Sequence, residues 1–128
     1  NIEDIDEEFV VSFKTKDLTP TVIFKDPDFE QLIRNKIGKY ENERITEGDM
    51  QDITSLYIFW GENFTGLEKA VNLNALDITY LENSVLQANK SIILNLPSLK
   101  KVFMSEEQDA SFGKALQDKG IEVKVFEY

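Results

Sequence analysis

A short apolar pattern recurs along the second half of this chain, and it restricts the fold more than any other feature. Ile53-x-x-Leu56-x-Ile58, Leu73-x-x-Leu76-x-Ile78 and Leu99-x-x-Val102-x-Met104 match position by position, with offsets of 20 residues from Leu56 to Leu76 and 26 from Leu76 to Val102. Alternating apolar residues over so short a run mark a strand with one buried face. Recurrence at such an interval marks stacked supersecondary units, because one unit cannot bury its apolar face alone. Ile121-x-Val123 begins 19 residues after Val102 and supplies a fourth, terminal strand. The expected class is α/β, with three to four short parallel strands joined by helical connections.

The connections carry helix signals. Ser105 is placed to cap a helix from Glu106 to Lys119, with Phe112, Ala115 and Leu116 inward and Gly120 at its end. Asn83 to Lys90 reads as another helix, and Pro97 breaks the chain before the third strand. Upstream, Asp26 stands at an N-cap, Pro27 at the first helical position, and Asp28 and Glu30 in the first turn. Phe29, Leu32, Ile33 and Ile37 make one apolar stripe, and Gly38 suits the helix end. Thr46-Glu47-Gly48-Asp49 has the form of a capping box and opens a short helix ending near Asp52. Phe9–Phe13 and Val22–Phe24 read as strands that pair as a hairpin. The 128 residues suit one domain, with an acidic flexible arm at 1–8, an N-terminal cap at 9–52 and the repeated strands at 53–128.

Composition removes much chemistry. The chain has no Cys and no His, so thiolate nucleophiles, zinc–thiolate sites and imidazole bases are absent. Twenty-four acids against 14 Lys and Arg give a net charge of −10, which a phosphate backbone would repel. No apolar run approaches the ~20 residues of a membrane span. The expectation is therefore a protein that is not an enzyme and has no cofactor, no metal, no nucleic-acid partner and no membrane span.

Several of these segments together resemble one family. Val22 to Arg34, then Ile45-Thr46-Glu47-Gly48-Asp49-Met50, then Thr54-Ser55-Leu56, look like the amino-terminal cap of bacterial internalin-type leucine-rich repeat proteins. Phe64-Thr65-Gly66-Leu67-Glu68-Lys69-Ala70-Val71-Asn72-Leu73 is similar to the segment leading into that family's next repeat. The resemblance implies a short, capped, curved solenoid of parallel strands that binds proteins and does no chemistry. The family places Asn three residues after the last core position, where Gly61, Leu81 and Glu107 stand in this chain.

In such a geometry Leu56, Ile58, Leu76, Ile78, Val102 and Met104 point inward, and the residues between them face the concave side. These are Tyr57, Phe59, Asp77, Thr79, Phe103, Ser105, Glu122 and Lys124, with Trp60, Tyr80 and Phe126 at or beside them. The expected partner-binding residues are Tyr57, Phe59, Trp60, Asp77, Tyr80, Phe103 and Glu122, since aromatic anchors dominate binding surfaces. The hairpin from Phe9 to Phe24 folded across this surface would cover the aromatics, and a register slip of one residue would make them core. Weaker signals have plainer explanations. Ser111-Phe112-Gly113-Lys114 matches S-x-x-K without its companion motifs. Asp26 and Asp28 lie in no calcium loop. Asn63-Phe64-Thr65 and Asn89-Lys90-Ser91 are glycosylation sequons.

The expected function is docking of a partner protein on the concave face, a basic partner being the one the charge would favour. Two other readings stay open: an acidic immunity or inhibitor protein that neutralises a basic toxin, and, further off, a carboxylate-based hydrolase. The bacterial cytoplasm, or the cell surface after removal of a signal peptide, would suit the first reading; oligomeric state is left undetermined.

Overall fold

The computed structural model describes residues 18–127. The acidic arm at 1–8 and the strand expected at 9–13 lie outside the described residues.

Four strands form one sheet in chain order: β1 (Ser55–Tyr57), β2 (Ala75–Asp77), β3 (Lys101–Ser105) and β4 (Glu122–Phe126). Every adjacent pair is parallel. Leu56, Leu76 and Val102 stand in register, as the repeat spacing requires, and Val123 completes the row. The fourth strand is thus aligned through Val123, while Ile121 is buried just ahead of it. The chain is α/β.

Successive side chains of a strand alternate between faces. Leu56, Leu76 and Val102, with Ile58, Ile78 and Met104, therefore fill one side of the sheet together with Ile53, Leu73 and Leu99. Burying one such side chain contributes roughly 1.5–3 kcal/mol, so this shared layer is what holds the short strands in place. Phe64, Leu67, Leu86, Ile93, Phe112 and Leu116 close the core from the connecting segments.

The helix α1 (Pro27–Ile37) follows its sequence signals closely. The Asp26 carboxylate accepts the amides of Asp28 and Phe29, and Phe29, Leu32 and Ile33 are buried. Gly38 ends the helix at φ +74°, its amide donating to Arg34 O at 2.8 Å. Arg34 itself is buried; it pairs with Glu30 at 3.0 Å and donates to the carbonyls of Tyr40 and Glu43. The loop after α1 is tied to the helix in this way. In α2 (Glu47–Gln51) Thr46 and Asp49 form the reciprocal capping box, and Lys39 pairs with the buried Asp49.

Three local expectations are corrected. Val22–Phe24 is not a strand: Thr21 makes a single antiparallel bridge with Thr46, Val22 is buried, Ile23 is exposed, and the Phe24 ring packs 6.0 Å from Phe29. Ser105 does not cap a helix; its amide donates to Gln108 Oε1 at 2.8 Å in a turn, and α5 (Ala110–Asp118) starts from Asp109, which accepts the Ser111 amide. The helix expected at 83–90 is two short helices, α3 (Asn83–Ala88) and α4 (Lys90–Leu94), broken at Asn89. Among the described residues no helix is long and apolar enough to cross a membrane.

Candidate functional site

The side of the sheet opposite the core carries the aromatic residues. Tyr57, Asp77, Phe103 and Lys124 form one cross-strand row, with Ser55, Ala75, Lys101 and Glu122 as the row before it. The rings fall into two clusters. Tyr57 lies 5.1 Å from Phe59 and meets Tyr80 edge-on at 6.1 Å; Phe103 stacks on Phe126 at 5.8 Å, with Lys101 Nζ 6.0 Å above the Phe103 ring. Tyr57 is 43% exposed, Phe59 55%, Trp60 46% and Tyr80 64%, while Phe103 is half-buried under its neighbours. A slipped register would have buried these rings, so their exposure fixes which face of the strands they belong to.

Asp77 stands between Tyr57 and Phe103. Its Oδ1 accepts the Thr79 amide at 3.0 Å and the Thr79 hydroxyl. Burial pushes the Tyr57 phenol above its ordinary value, and the neighbouring Tyr80 and Asp77 add to the shift. Tyr57 is therefore a neutral hydrogen-bond donor at physiological pH. Glu122 sits on the row behind, where it pairs with Lys124 at 3.3 Å and with Lys101 at 3.8 Å. It belongs to a charged border beside the Phe103 cluster rather than to the Tyr57 cluster. Thr79 and Ser105, expected on the open face, are buried, because each sits at a turn that closes against the next segment.

Trp60 leaves the strand row and borders a hollow of about 420 Å³ between the start of α1 and the turns after β1 and β2. The turn that follows Trp60 is held by Asp26. The second carboxylate oxygen of Asp26 accepts the Glu62 amide at 2.6 Å and the Asn63 amide at 2.9 Å. Burial would raise the Asp26 carboxyl, but the amides of Glu62, Asn63, Phe29 and Asp28 outweigh it and hold it below its ordinary value.

Two residues that the sequence pattern did not single out as fold-makers hold the turns. Asn89 is buried; it accepts the Phe64 amide at 2.8 Å and donates to Glu62 O and Val85 O, both at 2.8 Å. Its sequon therefore reflects packing, not an accessible acceptor. Gln108 donates to Ile78 O and Leu81 O at 2.6 and 2.7 Å. These amides satisfy carbonyls in the turns after β1 and β2, where Gly61 and Leu81 have no amide side chain. The two residues of the S-x-x-K pair each have another partner: the Ser111 hydroxyl donates to Asp109 at 2.7 Å, and Lys114 pairs with Asp118 at 3.5 Å.

No family model matches the chain, and no curated protein matches it. Among solved structures, the CBM51-2 and INT domains of ZmpB from Clostridium perfringens are 28% identical over 81% of this chain, with a TM-score of 0.49. The structure of CBM51-2 in complex with GlcNAc and INT domains of the same protein gives 26% identity, 81% coverage and a TM-score of 0.45. The chain spans 22% of the length of those chains.

Proposed function

We propose that the chain is a short leucine-rich-repeat-like solenoid with an internalin-type amino-terminal cap, and that it works as a protein-binding module rather than an enzyme. The observation that carries this reading is the exposed ring cluster of Tyr57, Phe59 and Tyr80 on a sheet whose opposite face is packed along β1 to β3. Large exposed apolar patches mark interaction sites, and a rigid sheet presents its anchors with little ordering cost. Tyr57, Phe59, Trp60, Tyr80 and Phe103 would serve as the anchors, with Asp77 as the polar group between them. Glu122 contributes at the border through its two lysine partners.

The test is capture of a partner by the wild-type protein and by a Tyr57→Ala/Phe59→Ala/Tyr80→Ala variant that keeps its circular dichroism. The captured protein is then purified and its affinity for both forms measured by calorimetry. A partner bound by wild type and lost by the folded variant supports the reading. Equal affinity for the two overturns it.

A further inference from the structure

We propose that the hollow beside the aromatic face receives an arginine side chain of the partner, which makes the ligand a basic segment of protein. The inference rests on the protein-binding reading above and names the chemistry of what is bound. The walls of the hollow include the exposed rings of Phe59, Trp60 and Tyr80, and its border carries Asp28, Glu62 and Glu82. Asp26 also borders it, but both of its oxygens are occupied by backbone amides, so it shapes the hollow instead of binding. No Lys or Arg lines the hollow among the described residues. A neighbouring hollow of about 460 Å³ shares Tyr80 and Glu82, adds Glu107, and has no basic lining residue either. A basic segment crossing Tyr80 would meet carboxylates on both sides.

Aromatic faces combined with carboxylates select a particular cation. A guanidinium group is flat, stacks on rings, is weakly hydrated and directs five N–H donors outward in its plane. An ammonium is compact and strongly hydrated, so it gains less from ring walls. The acidic side chains are spread around the border: no three of them come together closely enough to hold a metal ion among the described residues. A neutral sugar would stack on the same rings and donate its hydroxyls to the carboxylates, but it brings no charge for the three acids to attract, and it is the competing occupant that the test includes. The net charge of −10 favours the approach of a basic partner and disfavours an acidic one.

Trp60 is the chain's single tryptophan, so its fluorescence reports on this hollow alone. The probe is a capped glycine–arginine hexapeptide. Its controls are the same peptide with citrulline in place of arginine, and N-acetylglucosamine. The arginine peptide is expected to shift Trp60 emission saturably, and Glu62→Gln or Glu82→Gln to weaken binding about threefold each, the scale of one exposed ion pair. High salt should weaken it further. Both variants keep the Glu62 backbone amide that Asp26 holds, so their folding is preserved. Equal response to the citrulline peptide, no loss in the two variants, or saturation by N-acetylglucosamine alone would overturn the proposal. Silence towards every probe would overturn it too. The binding-module reading is decided separately, by whether a captured partner survives loss of the Tyr57 cluster.

Discussion

The Asp26 carboxylate accepts the Glu62 backbone amide at 2.6 Å across 36 positions of sequence, and the same carboxylate caps α1. One side chain thereby fixes the cap to the first turn after β1. Asp26→Ala is expected to lose about 1–2 kcal/mol, combining a missing N-cap with two backbone amides left to water. Urea denaturation at neutral pH measures this. The sign of the pH dependence follows from the direction of the shift. The folded carboxyl ionises below its ordinary value of 3.8, so its stabilisation is complete above that value and disappears as the pH falls through the lower folded one. The gap between wild type and Asp26→Ala should close on acidification below 3.8; a gap that stays constant would mean that charge is irrelevant at this cap.

Asn89 has a comparable role in the neighbouring connection. Its side chain is buried and makes three hydrogen bonds, including one from the Phe64 amide. Truncation to Ala strands a buried amide and two carbonyls and leaves a small void. The expected cost is about 2–4 kcal/mol, with faster hydrogen exchange at the Phe64 amide. Exchange at Phe64 unaltered by the substitution would show that water replaces the side chain without penalty.

The strands were legible because their positions are set by apolar spacing, which the core enforces directly. Leu56, Leu76 and Val102 align in the sheet as they align in sequence. The caps of α1 and α2 were legible for a related reason: the signals at Asp26, Pro27, Thr46 and Asp49 act on neighbouring backbone. Long-range side-chain bonds leave no such mark. Nothing in the sequence around Asn89 shows that it receives an amide 25 residues upstream, and Gln108 gives no sign that it reaches the turn after β2. Ser105 misled because a hydroxyl before two acids resembles an N-cap locally, whereas the backbone there closes on Gln108 first. Of the expected site, Tyr57 and Phe59 followed from strand alternation, whereas alternation put Thr79 on the face beside Tyr80, and the turn after β2 buries it. The acids around Trp60 were missed because they come from three separate loops and helix starts.

Exposure of the aromatic face has a direct consequence for stability. Tyr57→Ala and Tyr80→Ala should each change unfolding free energy by no more than about 1 kcal/mol, the scale of a cross-strand or ring–ring contact. Leu76→Ala, on the packed side of the same strand region, should cost about 2–5 kcal/mol. Denaturant midpoints of the three variants decide the matter. Comparable large losses for all three would place the tyrosines in the core.

Gly66 gives a separate check on how the cap meets the first connection. It adopts φ +110°, and a Cβ there would lie 2.6 Å from Phe24 Cε1. Gly38 also has positive φ, at +74°, but nothing lies within 4 Å of its absent Cβ. Gly38→Ala should therefore show the conformational penalty alone, about 1–2 kcal/mol. Gly66→Ala should exceed it by displacing Phe24 from Phe29. Equal losses in thermal or chemical unfolding would mean that Phe24 swings aside freely.

The raised phenol of Tyr57 provides a spectroscopic handle on the binding face itself. Burial contributes most to the shift, then Tyr80 and Asp77. Carbon-13 labelling of the tyrosine Cζ positions resolves Tyr57 individually, and its midpoint should lie above the ordinary value of 10.0. Because the folded protein holds this proton more tightly than the unfolded chain, stability should decline as the pH rises past that ordinary value. Asp77→Asn removes a negative charge but neither the burial nor Tyr80, so the midpoint should fall only some of the way back. A partner that covers the ring should move the midpoint, upward where desolvation dominates and downward where its basic side chains lie closest. A midpoint unmoved by a saturating partner would show that the partner docks without touching Tyr57.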